Sequence, residues 1–240
     1  MTPMPSSLVS SSAARPSSTL AAKLVNMLVY PGEVFDEVVA APPRFVNWLV
    51  PTALVALASL VLLRAAINET APIATTSKAS AAQPAITDSA LLNTDSGSAD
   101  FQKLSALATC AGTFIGTFWT ALLLWLIGRL FLRARFSYLK TVEVVALAGS
   151  VVVLGAIITA LLVTAFGDPA ARPALSLFAL RLPSDSHVRL FLDTVNFFHL
   201  WAIGVLAIGL SRLSGVSFKE SAFWVFGYWL VTRWMLILLA

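Results

Sequence analysis

The chain is poor in charge, in cysteine and in histidine, and each shortage excludes a class of answer. Lys, Arg, Asp and Glu make up 12% of its 240 residues, about half of the roughly 25% usual in a soluble domain. With 58% hydrophobic residues and a mean hydropathy of +0.84, a soluble fold would have too little polar surface to cover its apolar bulk. Lipid is the solvent this composition fits. The single cysteine, Cys110, excludes an intrachain disulfide framework and leaves a thiolate metal cage unsupported. It stands inside an apolar run and reads as a small packing residue. The two histidines, His187 and His199, are twelve apart with no HExxH arrangement, so zinc hydrolysis has no support. GxSxG, GxGxxG and the phosphate-cradling GxxxxGK loop are missing as well. Gly167-Asp168 and Gly149-Ser150 are isolated pairs. No catalytic residue, metal site or cofactor is expected. The formal charge of +4 does not gather into a basic patch with interleaved aromatics. It sits at the ends of apolar runs, where it sets membrane topology rather than nucleic-acid binding.

What is present is a series of long apolar runs. Residues 1–18 are Ser-, Ala- and Pro-rich, predicting a disordered tail without the layout of a secretory signal. Over 19–41, Thr19 can cap a helix, and Leu20, Leu24, Met27 and Leu28 recur at helical spacing. After Pro31, the acids Glu33, Asp36 and Glu37 oppose Val34, Phe35, Val38 and Val39. These are two amphipathic helices, too short to span, expected on the membrane interface or against the bundle. The remainder, 42–240, reads as a five-helix transmembrane domain with spans near Phe45–Ala65, Leu104–Leu130, Val142–Phe166, Leu190–Leu210 and Phe218–Leu239, each close to the ~20 residues a crossing needs. A polar insertion at 67–104 is expected to be disordered, with one helical turn near Ala90–Asn93. Between the third and fourth spans, Ala174–Leu180 is apolar but too short to cross, which suggests an interfacial or re-entrant turn.

Charge placement orients the bundle. Arg129, Arg133, Arg135 and Lys140 crowd one short loop, a strong positive-inside signal and a candidate contact for anionic lipids. Nine Lys and Arg residues fall on that side and six on the other, over longer loops. The bias puts the N-terminus inside and the C-terminus outside. Glu143, beside this loop, is expected to pair with a basic residue of it. In the second span Ala108, Gly112, Gly116 and Thr120 fall four apart, a small-residue stripe suited to helix packing within the chain or between copies. Asp193, Asn196 and His199 share one face of the fourth span, and Arg233 lies in the fifth. Asn196 and Arg233 both sit about 9 Å inside the outer boundary. Ionisable groups at that depth face partners or water. Asp193 is the expected counter-ion of Arg233, as a helix clamp or as a solute or proton site; outward snorkelling of Arg233 is the third alternative.

The segment YPGEVFDEVVAAP before the first span, and NFFHLWAIGVLAIGLSRLSGVSFKESAF across the last two, resemble the Yip1-domain family. Asn196, Trp201, Gly204, Gly209 and Gly215 carry the second likeness. The resemblance covers about 20–65 and 104–240 and implies five spans with the N-terminus inside. Eukaryotic members associate with small Rab GTPases and carry a DLYGP-type motif. Tyr30-Pro31-Gly32 is only a faint echo of it, so Rab binding is not carried over. The likeness is closer to bacterial members, which implies the inner membrane. The expected function is therefore a non-enzymatic membrane scaffold or organiser, binding membrane lipids or a membrane or cytoplasmic protein partner. The alternative is a small-solute or ion transporter or channel subunit built on Asp193, Asn196, His199 and Arg233.

Overall fold

The computed structural model describes residues 18–78, 92–166, 171, 173–174, 192 and 196–239, with 66–78, 92–99 and 236–239 described as backbone only. Among these residues seven helices follow in order: α1 (Leu20–Val29), α2 (Pro31–Ala40), α3 (Phe45–Lys78), α4 (Leu92–Leu130), α5 (Tyr138–Phe166), α6 (Phe197–Ser214) and α7 (Phe218–Leu239). No strand occurs among the described residues. Of the described residues, four stretches are long and apolar enough to cross a membrane: Phe45–Ala65, Asp100–Leu130, Tyr138–Phe166 and Phe197–Ser214. Helix α7 has 22 residues but carries Lys219, Glu220 and Arg233, and is not among the four.

Local chemistry sets the boundaries. The Thr19 hydroxyl accepts from Ala22 N at 3.3 Å and opens α1. Pro31 then begins α2 at a position where its missing N–H is not needed. Gly215, with φ of 71°, closes α6 in the left-handed conformation and donates its N–H to Ser211 O at 2.9 Å. The Ser211 hydroxyl donates to Val216 O across the same turn, which reverses the chain into α7.

Two expectations are corrected. The polar insertion does not interrupt helix over all of 67–104: α3 runs on to Lys78 and α4 starts at Leu92. The tail before Ser18, residues 79–91 and most of 167–195 lie outside the described residues, including the Ala174–Leu180 turn beyond Ala174. The fourth span begins at Phe197 rather than Leu190. Asn196 is extended (φ −95°, ψ 132°) and its side chain accepts from Phe198 N at 2.9 Å. A strong cap residue fixes the helix start there, and Asn196 bridges to Ala174 instead of continuing the helix.

Helix α5 is the hub, touching α1, α2, α3, α4 and α6, while α7 lies along α6. One core joins Met27, Val34, Phe35 and Val38 of the N-terminal pair to Val144, Leu147 and Val151 of α5 and Ala202 and Val205 of α6. Phe35, fully buried, is its wedge. A Cβ at Gly209 would lie 2.4 Å from a Val144 methyl and 3.1 Å from the Phe35 ring, so glycine is what lets α2, α5 and α6 meet. A second core packs Ile203, Ala207 and Leu210 of α6 on Val225 of α7 and Ile127 of α4.

Candidate functional site

The densest polar chemistry lies where α2 ends and α3 begins. The carboxylate of Glu143, fully buried, accepts from Arg44 N at 2.6 Å and from the Asn47 amide at 3.1 Å through Oε1. Its Oε2 faces Lys140 Nζ at 3.1 Å, an ion-pair distance, at an angle that makes no hydrogen bond. The Lys140 ammonium in turn donates to Val38 O. Val38 is in the last turn of α2, whose carbonyls lack helical partners, and Arg44 directly precedes α3, whose first N–H groups do. Each charge of the pair therefore meets the helix end of opposite sign. Spaced i, i+3 on α5, the two residues clamp the Ala41–Arg44 junction from both sides. The expected pairing of Glu143 with a neighbouring basic residue is met by Lys140. Lys140 itself is 8% exposed and is drawn inward by these partners, not turned to lipid as the sequence reading had it.

A second pair sits beside the first. Lys23 Nζ lies 3.1 Å from Glu37 Oε1, with the lysine side chain only 3% exposed. The Ser18 N–H and hydroxyl also donate to Glu37. Burial alone would raise the Glu37 carboxyl, but the Ser18 hydrogen bonds and Lys23 outweigh it and hold it below its ordinary range. Arg212 at the end of α6 reaches Asp36 at 3.5 Å in a half-exposed pair. The sequence reading passed over Lys23 and Asn47. The signal was available: Lys23 lies on the apolar stripe of α1 with Leu20, Leu24 and Met27, and a charge on such a stripe needs a buried partner.

The α4–α5 connection leaves Arg129, Arg133 and Arg135 exposed. Arg129 stands over the Trp125 ring at 5.2 Å, and Trp125 Nε1 donates to Phe136 O at 3.2 Å. Arg133 adopts a positive φ of 51° at the turn.

Among the described residues, no helix packs closely on the small-residue stripe of α4. Ala108, Gly112 and Gly116 are exposed, and a Cβ at either glycine would meet nothing within 4 Å. The packing within the chain expected from the spacing is not seen at the two glycines among the described residues. Ala121, Leu124, Ile127 and Gly128 are the residues of α4 described as buried, all in its C-terminal third, so the helix docks mainly below the glycines. With Thr120, the two glycines border an open groove against Val145–Val152 of α5. Thr109, Thr113 and Thr117 return their hydroxyls to carbonyls four residues back, which satisfies them without water or a partner.

At the other end of the bundle, α3, α5 and the start of α6 enclose a cavity of about 350 Å³. Val55, Ala58, Leu62, Val152, Ala156 and Val163 give it apolar walls, and Asn196 and His199 line it as well. Of the predicted polar group, the structure thus brings Asn196 and His199 to one cavity. Asn196 joins as a cap rather than on a helix face. Asp193 lies outside the described residues, and with it the proposed Arg233 clamp. Arg233 is half-buried, one turn beyond Trp229, and is not among the cavity lining.

Nothing among curated proteins or solved structures matches the chain. The Yip1 domain matches residues 25–240. That span takes in the second half of α1, all of α2, the Lys140–Glu143 pair and the cavity. With its apolar helices, the chain is an integral membrane protein that belongs to the Yip1 domain family.

Proposed function

We propose that the protein is a non-enzymatic membrane scaffold, with its N-terminus inside and five crossings, α7 being the fifth, in a bacterial inner membrane. The observation that carries this reading is the contrast at one end of the bundle. Lys23, Lys140, Glu37 and Glu143 are spent on internal pairs, while Arg129, Arg133 and Arg135 remain exposed on one short loop. Exposed arginines beside a membrane attract anionic headgroups by about 1 kcal/mol each. The exposed side chains of Val25, Val29 and Tyr30 support a position of α1 against the same interface. A cytoplasmic protein partner would dock on this face. The test is the stabilisation that phosphatidylglycerol gives the purified protein, measured by thermal unfolding. Replacing the three arginines by glutamine should leave the fold intact and abolish most of that shift. A triple variant that keeps the full shift would refute the assignment.

The second reading, a solute or ion pathway, has one observation in its favour: the cavity reaches Asn196 and His199. Flux through vesicles holding the purified protein, lost in His199→Leu, would establish it over the scaffold.

A further inference from the structure

We infer that the cavity between α3, α5 and α6 is a binding site for the acyl chain of a phospholipid, with the headgroup end seated at Asn196 and His199. The site lies at the end of the bundle opposite the arginine loop and goes beyond the lipid contacts proposed there.

The lining argues for an amphiphile. Its walls are aliphatic, and its volume of about 350 Å³ falls at the small end of ordinary ligand pockets, roughly 300 to 1,000 Å³. The hydroxyls that reach it are already committed as donors. Ser59 donates to Val55 O at 2.9 Å and Thr159 to Gly155 O at 2.8 Å. Asn196 uses its carbonyl oxygen to cap α6, so its NH2 is the group it has to offer a ligand. His199 lines the cavity beside it, and the Asn196 NH2 gives this end a nitrogen donor. Such a donor suits ester or phosphate oxygens. In its wall Phe198 packs on Gly155, a contact so close that a Cβ there would lie 2.7 Å from Phe198 Cβ.

Position favours a chain that enters sideways. Leu57, Ile157 and Leu161, on the turns that flank the lining, are exposed, so the cavity adjoins surface that faces lipid. Inside a bilayer an acyl chain gains no hydrophobic transfer energy by moving from lipid to protein. Dispersion contacts with walls that would otherwise face a void, and the Asn196 NH2, are what would hold one chain in preference to its neighbours.

The experiment uses the full chain in nanodiscs of phosphatidylethanolamine and phosphatidylglycerol, with a trace of phospholipid carrying a diazirine near the chain end. After irradiation, adducts are mapped by mass spectrometry. Adducts on Val152, Ala156 and Val163 should exceed those on exposed Leu57, Ile157 and Leu161. In Ala156→Phe, which fills the cavity, labelling of Val152 and Val163 should fall about tenfold, with the exposed positions unchanged. Ala58→Leu fills the same space from α3 and serves if the first variant does not fold. Equal labelling of lining and exposed positions in the natural protein, or undiminished labelling in the filled variants, would overturn the site. Ser59→Cys, made with Cys110→Ser, tests the contents directly: rapid reaction with a membrane-impermeant thiol reagent means a water-filled cavity and overturns the inference, and protection supports it. None of these readouts depends on the three loop arginines, so failure here leaves the scaffold reading standing and its failure leaves this one.

Discussion

Replacing Glu143 by leucine is the sharpest test of how the N-terminal pair is joined to the first span. The substitution removes two hydrogen bonds to a buried carboxylate, from Arg44 N and from Asn47, and leaves the Lys140 ammonium buried beside Val38 O. Hydrogen bonds to a charged group contribute about 1.5–3 kcal/mol each. Removing one partner of a buried pair costs about 3–5 kcal/mol, largely through the charge left behind. Those two figures describe overlapping terms, so the expected loss is about 4 kcal/mol and not their sum. For a chain of this size that is a fall in Tm on the order of 10 °C, read by tryptophan fluorescence in detergent. The decisive comparison is the double variant Lys140→Met with Glu143→Leu. It still orphans Arg44 N and Val38 O, but it no longer buries an unpaired charge. It should therefore be more stable than Glu143→Leu alone, with a coupling of at least about 2 kcal/mol in the cycle. Additive single losses, or a loss under about 1 kcal/mol for Glu143→Leu as at an exposed pair, would refute the clamp.

Four further outcomes follow from neighbouring contacts. Phe35→Ala should destabilise by about 3–5 kcal/mol, and Gly209→Ala by about 1–3 kcal/mol through overpacking; if Gly209→Ala melts with the natural protein, α6 does not approach Val144 as described. Glu37 should make stability pH-dependent with a definite sign. Its carboxyl is held below the ordinary value of 4.5, so its contribution is fully present above the unfolded-state value and is lost as pH falls through the lower folded-state one. Melts from about pH 6 to about pH 3 should show this loss in the natural protein and a smaller one in Glu37→Gln; identical profiles would contradict it. By contrast, Asp36→Asn should change stability by less than about 1 kcal/mol, since the pair with Arg212 is half-exposed and screened. A larger loss would mean that Asp36 has a role the pair does not explain.

Helix placement was legible in the sequence because the apolar runs are long and the signals at their ends are local. Thr19, Pro31 and Gly215 each act within one turn of the helix they bound. Errors came where a local rule met a competing one. Asn196 was counted on a helix face by its spacing from His199, but its capping chemistry wins and starts the helix after it. The Gly112 and Gly116 spacing states only that a close approach is allowed. Whether a helix arrives depends on how α4 leans, which tertiary contacts at Ala121 and Leu124 decide. Lys140 was grouped with three arginines by neighbourhood in the chain. Its position on α5 turns it inward, since residues 140 and 143 share a face and residues 133 and 135 precede the helix. The cavity was not legible at all: its lining comes from three helices between 55 and 199, and no single segment shows it.

The two ends of the bundle are stabilised by different means, and this bears on which of them is able to hold a ligand. At the junction of α2 and α3, buried charges are matched by partners within hydrogen-bond reach, and removing one leaves another exposed to a low-dielectric interior. Such an arrangement resists rearrangement, because every intermediate position strands a charge. At the other end α3, α5 and α6 meet through small and aliphatic residues, with Ser59 and Thr159 satisfied by their own helices. Their hydrogen bonds do not cross between helices, so a small adjustment of these helices breaks none of them. A membrane protein built this way can keep the α2–α3 end rigid while its opposite end accommodates an apolar guest.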